Sequence, residues 1–400
     1  MAWPEERAWF LRIPVIDTLT PLSEQQRAVQ LLARDFAARE LAPHAAAWDR
    51  AANGDPAVIA KLGELGFLGM LLPEEYGGLG LDSLSYLLAL EEIAAGDAST
   101  AVAMSVHNSL PTKMILTFGT DAQKREFLPR MASGEWLGAF ALSEADAGSD
   151  ASALTTQAVR DGDDWILNGT KVWVSNGDRS QVILTMVRTD QPGDRHGSRG
   201  ISAFIITPEL QGFNVGKKED KMGLRASPTL QITFDNMRVP GNRLLGTEGE
   251  GFIYAMQSLE AGRLGIAAQA VGIARAAVEH SIAYTKERHQ FGKPLTEFQA
   301  VEFRLADMAT KLHAARAMLH TTAAAKDRGE NVGAHAAMCK LLASETAMWI
   351  TTHAIQLFGG YGYVTDYPVE RLFRDAKITE IYEGSSEIQR IVIGRAVTSS

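Results

Sequence analysis

The chain has 400 residues, 46% of them hydrophobic and 22% charged, a balance that fits a soluble globular protein of two or three domains and excludes disorder as its main state. The net charge is −9, and Lys and Arg are spread along the chain without a basic run, which argues against a nucleic-acid surface. The single cysteine, Cys339, leaves no disulfide framework and lies in an Ala-rich helical pattern, as a buried packing residue in the reducing cytoplasm would.

Met1 to Arg12 mixes Glu5 and Glu6 with Arg7 and Arg12, so neither a signal peptide nor a transit peptide is expected there. No run of about 18 apolar residues suggests a membrane span. The nine histidines include no HExxH pair, no Cys/His cluster has zinc spacing, and neither a GxGxxG nor a GxxxxGK[ST] string occurs. Metal chemistry and Rossmann or P-loop nucleotide binding are therefore not expected.

In chain order, a lead punctuated by Pro4, Pro14 and Pro21 precedes a helical pattern from Leu22 to Trp48, with Ser23 as N-cap and Pro43 near its end. Ala57 to Leu65 reads as helix, Leu72 to Gly80 as a loop, Ser83 to Ala95 as helix, and residues 97 to 131 as two more. The character changes near Gly134. Trp165-Ile166-Leu167 and Thr170 to Ser175 flank Asn168-Gly169, the signal for a hairpin with a two-residue turn, and Val182 to Arg188, Ile201 to Ile206 and Leu230 to Phe234 read as further strands. From Gly251 the helical period returns in four stretches, about 251–287, 296–328, 334–358 and 385–397, dense in alanine. The expected fold class is α+β multi-domain: an N-terminal all-α domain over 1–134, a middle antiparallel β-domain over 135–247 and a C-terminal four-helix bundle over 248–400.

Several segments could carry chemistry, and each has a plainer reading beside it. Phe140 to Asp150 joins Gly148 to the hydroxyls of Ser143 and Ser149 but equally describes a strand and a polar loop. Trp173-Val174-Ser175-Asn176 offers a planar ring and hydrogen-bonding groups, though a Trp on a strand is more often core. Arg288 beside Phe291-Gly292 suits a diphosphate, although a solvated Arg is the commoner outcome. Gln356 with Gly359-Gly360 permits close backbone approach or simply caps a helix. Glu383, between Tyr382 and Gly384, is a potential base beside Ser385 and Ser386, either of which could begin a helix and favour an anion there; a carboxylate in such a loop is more often solvated.

Taken together, these segments resemble the acyl-CoA dehydrogenase family over about Leu22 to Val397, in the family's order. The carriers are Pro73-Glu74-Glu75-Tyr76-Gly77-Gly78, Ala141-Leu142-Ser143-Glu144 with Gly148-Ser149-Asp150, Trp173 to Gly177, Arg288 with Phe291-Gly292, Gln356 to Gly360, and Ile381 to Arg390. The resemblance implies FAD bound between β-domain and bundle, completed by a neighbouring subunit of a homotetramer. Phe140, Leu142, Ser143, Gly148 and Ser149 with Trp173, Val174 and Ser175 would then hold the flavin ring and nearby groups. Arg288, Phe291, Gln299, Gln356, Leu357, Phe358, Gly359 and Gly360 would take the adenosine diphosphate portion, and Ser385, Ser386 and Glu387 would also meet FAD. Ser149, Glu260, Ala261, Gly262, Arg263 and Gly384 would line the acyl-CoA site, and Glu383 would be the catalytic base. Ala145-Asp146 and Ser385 depart from the common Pro-Gly and Thr.

Some relatives carry the base on the first bundle helix, immediately before the arginine corresponding to Arg263. Here that residue is Gly262, and Glu260 lies about 200° around the helix from it, so it cannot substitute. Ser99 to Leu110 and Ile378 to Arg390 look most like short-chain, butyryl-CoA-type members, which implies electron-transfer flavoprotein as the electron acceptor. A non-catalytic flavin or acyl-CoA scaffold and an oxidase using dioxygen are the alternatives, and fatty-acid and branched amino-acid breakdown are both open as pathways.

Overall fold

A computed structural model describes residues 19–190 and 197–399. The lead with Pro4 and Pro14 and the stretch Met1 to Arg12 lie outside these residues. The first helix, α1 (Glu24–Phe36), opens on the expected Ser23 cap, whose hydroxyl accepts from Gln26 N while the Gln26 side chain returns to Ser23 N. This reciprocal pair satisfies two otherwise free amides. A π-helical turn at Ala37–Leu41 leads directly into α2 (Ala42–Ala51), so Pro43 does not end the helix. It sits in the first turn of α2, where its missing N–H is no loss. Then come α3 (Pro56–Glu64), α4 (Ser83–Gly96), α5 (Ala98–His107), α6 (Lys113–Phe118) and α7 (Asp121–Ala132).

The sheet contains β1 (Gly138–Ala141), β2 (Gln157–Asp161), β3 (Asp164–Ser175), β4 (Val182–Arg188), β5 (Ile201–Ile206), β6 (Phe213–Lys218), β7 (Thr229–Val239) and β8 (Leu244–Leu245). Its order is β6-β7-β3-β2-β4-β5-β8, antiparallel except that β1 runs parallel to β4 and β2 meets β4 in parallel at Gln157 and Arg188. The expected hairpin at Asn168-Gly169 is not present. β3 runs straight through those residues, and the two-residue turn is Gly162-Asp163, between the paired Asp161 and Asp164, with Gly162 at φ +64°. Residues on both sides of Asn168 find partners along β7, and the break in register there is bridged by Asn168 Oδ1, which accepts from Asn236 N at 2.8 Å. Continuous pairing with a distant strand outweighs the local turn preference, and Asn-Gly becomes a bulge.

The C-terminal part holds the four expected helices as α8 (Gly251–Glu287), α9 (Gln299–Asp327), α10 (Gly333–Phe358) and α12 (Ser386–Thr398), with a fifth, α11 (Pro368–Ile378), between the last two. Ala267, Ala268, Ala270, Ala274, Ala276 and Ala277 of α8 are all buried, and α8 packs closely on α10 and α4. One core cluster thus spans the first helices and the bundle, and a second joins α7, the sheet and the start of α8. Among the described residues no helix is long and apolar enough to cross a membrane.

A buried ionic network ties four helices together. Glu91 and Glu92 of α4 meet Arg316 of α9, Arg275 of α8 and Arg34 of α1, and Arg275 also holds Glu279. Burial alone would raise the pKa of Glu91, but Arg316 and Arg275 hold it well below the usual carboxylate range. Removing one member leaves the others charged and dry. Arg275→Met is expected to lower the unfolding free energy by about 3–5 kcal/mol, measured by denaturant titration; a loss under about 1 kcal/mol would show that the network is not a stabilising joint.

Candidate active site

Glu383 lies in the short link between α11 and α12. Ser386 N donates to Glu380 O at 2.9 Å, and Ser385 caps α12, its hydroxyl accepting from Ile388 N. The serine-started helix read from the sequence is therefore present, with Glu387 in its first turn. Glu383 and Gly384 are both left-handed, at φ +52° and +94°, a pairing that strains the Glu and suits the Gly. Three side chains hold this turn. Lys340 Nζ of α10 donates to Gly384 O at 2.6 Å, Gln389 Nε2 donates to the same oxygen at 2.7 Å, and the Tyr382 hydroxyl donates to Gln269 of α8.

Both oxygens of the Glu383 carboxylate are closed to solvent and have no hydrogen-bond partner. Burial raises its pKa to about 7, against the pull of Lys340 and Arg263. The carboxylate lies directly over Gly262, where any Cβ would collide with Oε2. Glu260 points elsewhere: its carboxyl sits against Gly333, about 3.1 Å from where a Cβ on that glycine would lie. One turn beyond Gly262, the Tyr86 and Ser105 side chains of α4 and α5 face Gly265. Burial, with a smaller contribution from Glu383, raises the Tyr86 pKa, a nearby Ser105 hydroxyl opposing it. Lys340, Gln269 and Tyr86 were not picked out from sequence, and Gln389 entered only as part of the Ile381 to Arg390 motif, without a role. Lys340 offered one signal, a lone cation in the apolar run Ala336 to Leu342.

The expected flavin loop is pinned to β3. Glu144 accepts from Thr155 N at 2.6 Å, Thr156 N at 2.9 Å and Lys171 Nζ at 2.7 Å, and Lys171 also donates to Leu142 O at 3.0 Å. Val172 N donates to Ser143 O at 2.9 Å. Phe140 and Ser143 are half-buried, Leu142 is buried, and Gly148 and Ser149 are exposed. Beyond Lys171 the register with β7 breaks, and Trp173 adopts φ +61°. Trp173 is 63% exposed, so it is not a core residue, while Val174 is buried and Ser175 half-buried. The bulge turns the indole outward, where a planar ring can stack on it.

Arg288, Leu357, Phe358, Gly359 and Gly360 share a separate open groove of about 760 Å³ with Tyr284, Tyr361 and Tyr367. The Arg288 guanidinium lies 5.4 Å over the Tyr361 ring, and Tyr284 stacks on Phe358 at 4.0 Å. Phe291 is 93% exposed, and Gln299 and Gln356 are exposed nearby in sequence without lining the groove. None of residues 140–149, 173–175 or 383–387 lines it either. The residues expected around the cofactor thus fall into two groups on one chain.

Comparison with known proteins agrees with this architecture. Residues 23–135, 139–237 and 249–398 match, respectively, the N-terminal, middle and C-terminal domains of acyl-CoA dehydrogenase. The chain is 46% identical to an acyl-CoA dehydrogenase of Bacillus subtilis, over 94% of this chain and 98% of that one. It is also 46% identical to the mitochondrial short-chain specific acyl-CoA dehydrogenase of Bos taurus, over 98% and 93%. Among solved structures, butyryl-CoA dehydrogenase from Megasphaera elsdenii superposes with a TM-score of 0.92 at 44% identity, covering 94% of this chain and 99% of that one. The chain belongs to the acyl-CoA dehydrogenase family, and is an FAD-dependent enzyme of that class.

Proposed function

We propose that the enzyme removes the α-proton and β-hydride of a short-chain acyl-CoA, giving the trans-2-enoyl-CoA, with Glu383 as base. The observation that carries this reading is the dry, unpartnered carboxylate over Gly262. An α-proton beside a thioester is weakly acidic, so its base must be ionised near working pH yet free of competing hydrogen bonds. Burial raises Glu383 to about 7 and Lys340 and Arg263 stop it rising further, which meets both demands. The glycine at 262 leaves the volume that the carboxylate occupies.

The residues present fit FAD. Trp173 offers an exposed face, and Ser386 Oγ is a buried hydroxyl with no partner at the start of α12, where a helix end favours electron-rich groups. Bound FAD supplies the hydride acceptor at its N5. Phe140 to Ser149, Trp173 to Ser175 and Ser385 to Glu387 would surround the flavin end, and Glu260 to Arg263 with Gly384 and Ser149 the acyl-CoA. The Arg288 groove suits the adenosine diphosphate end. Because that groove is a separate cluster, a neighbouring copy in a homotetramer would complete each site.

The short-chain preference rests on the Bos taurus relative and the Megasphaera elsdenii structure. Electron-transfer flavoprotein as acceptor is supported by a similar chain, at 46% identity and TM-score 0.93, in a structure reported for the electron transferring flavoprotein of Acidaminococcus fermentans. A cytoplasmic location fits the bacterial relatives, and the three units at 1–134, 135–247 and 248–400 form our division of the chain.

Purified enzyme should be yellow and bleach anaerobically with butyryl-CoA, while Glu383→Gln keeps its colour and bleaches slower by ~10² or more. A wild type that no straight-chain acyl-CoA bleaches would sink the proposal, and peroxide released without an added acceptor would make it an oxidase. The carboxylate is the active form, so kcat should rise with pH through about 7; a flat profile there would exclude Glu383 as the titrating base. Gly262→Ala forces the carboxylate aside and is expected to lower kcat by about 10²-fold with FAD content unchanged, checked by turnover and flavin absorbance.

A further inference from the structure

We propose that Lys340 is a positioning residue for the base: from α10 it clamps the Gly384 carbonyl, fixing the left-handed turn that aims Glu383 and holding its carboxylate in the ionised form. This rests on the reading of Glu383 as base. Lys340 is completely buried, as are Ala336, Ala337, Cys339 and Ala343 of the same helix. An ammonium there loses its hydration, and an apolar residue would fill the same space at lower cost. Yet no carboxylate of the described residues lies within ion-pair distance of it, and its hydrogen bond goes to a neutral carbonyl, Gly384 O, at 2.6 Å. A buried cation without a direct counter-ion, fastened to the residue that follows the base, is placed for its effect on that base.

The geometry supports both parts of the role. Gly384 O receives two donors, Lys340 Nζ from α10 and Gln389 Nε2 from α12, so the carbonyl is fixed between two helices. The turn it belongs to contains a non-glycine residue at positive φ, a conformation that persists only when its surroundings impose it. The charges and titratable groups around Glu383 come from every packed element: Lys340 from α10, Arg263 from α8 with Glu260 beside it, Tyr86 from α4, and Tyr382 in the same link. Burial lowers the pKa of Lys340 to about 8, with Glu383 opposing that most strongly and Glu380 and Glu387, at the two ends of the link, opposing it less. Of the two cations, Lys340 is the stronger influence on Glu383. Arg263 divides its own interaction between Glu260 and Glu383.

The test uses the purified holoenzyme with Lys340→Met, and Lys340→Gln, which keeps a donor for Gly384 O without the charge. The Glu383 carboxyl is titrated by infrared difference spectroscopy, its band identified by its absence in Glu383→Gln, and kcat is measured against pH. Loss of a nearby opposite charge should move the carboxyl titration and the acid limb of kcat together toward alkaline pH by about one unit. The activity lost at pH 7, about tenfold, should be largely regained at higher pH in Lys340→Gln with its flavin retained. An unshifted carboxyl titration in Lys340→Gln, or a loss equal at every pH, overturns the inference and leaves Lys340 merely structural. A wild type in which no Glu383 band titrates and butyryl-CoA causes no bleaching overturns instead the assignment of the base.

Discussion

A carboxylate closed off from water and without a hydrogen-bond donor is unstable in its ionised form unless the surrounding fold compensates. Much of this molecule's local structure near Glu383 follows from that constraint. Two cations, Lys340 and Arg263, limit the effect of burial from different helices. A glycine, Gly262, supplies space that no other residue could leave. The turn bearing the carboxylate is strained and is held by a carbonyl with two donors and by the Tyr382–Gln269 bond. Because α8, α10 and α12 each provide part of this support, small changes in their packing would be felt at the carboxylate.

The frame that keeps those helices in place is itself polar at its centre. The Glu91–Glu92–Arg275–Arg316 cluster lies between α4, α8 and α9, and α4 also brings Tyr86 toward Gly265. Such a buried network adds little stability over an apolar core, but it disfavours any sliding of the helices that would separate its charges. Apolar alanine-rich faces allow close approach and leave register loosely specified; the ion pairs specify it. Close packing and fixed register are both needed to hold Gly262 under the carboxylate.

The flavin side of the site depends on a comparable device in the sheet. Glu144 and Lys171, both buried, fasten the loop after β1 to β3, immediately before the backbone irregularity at Trp173. The strand is bulged at that point, with Trp173 at positive φ and exposed. The Arg288 groove is built by stacked aromatics at the far end of α8, apart from both the loop and the carboxylate.

The sequence by itself determined what depends on near neighbours: the helical periods of the first third and the bundle, the Ser23 cap, a serine start at 385 or 386 for the last helix, the strand runs, and the ordered motifs that identify the family. It also marked Glu383 and the absence of a rival carboxylate at position 262. Asn168-Gly169 misled because turn preference is local, whereas β3 is held open by a partner strand about 60 residues away in the chain. Trp173 could not be assigned to core or surface, since one bulge decides its direction. Lys340 and Gln269 reach the Glu383 turn from 44 and 113 residues away. Burial, charge balance and the clearance over a glycine are properties of what packing brings together, so only the tertiary structure could turn a glutamate in a glycine loop into a dry, poised carboxylate.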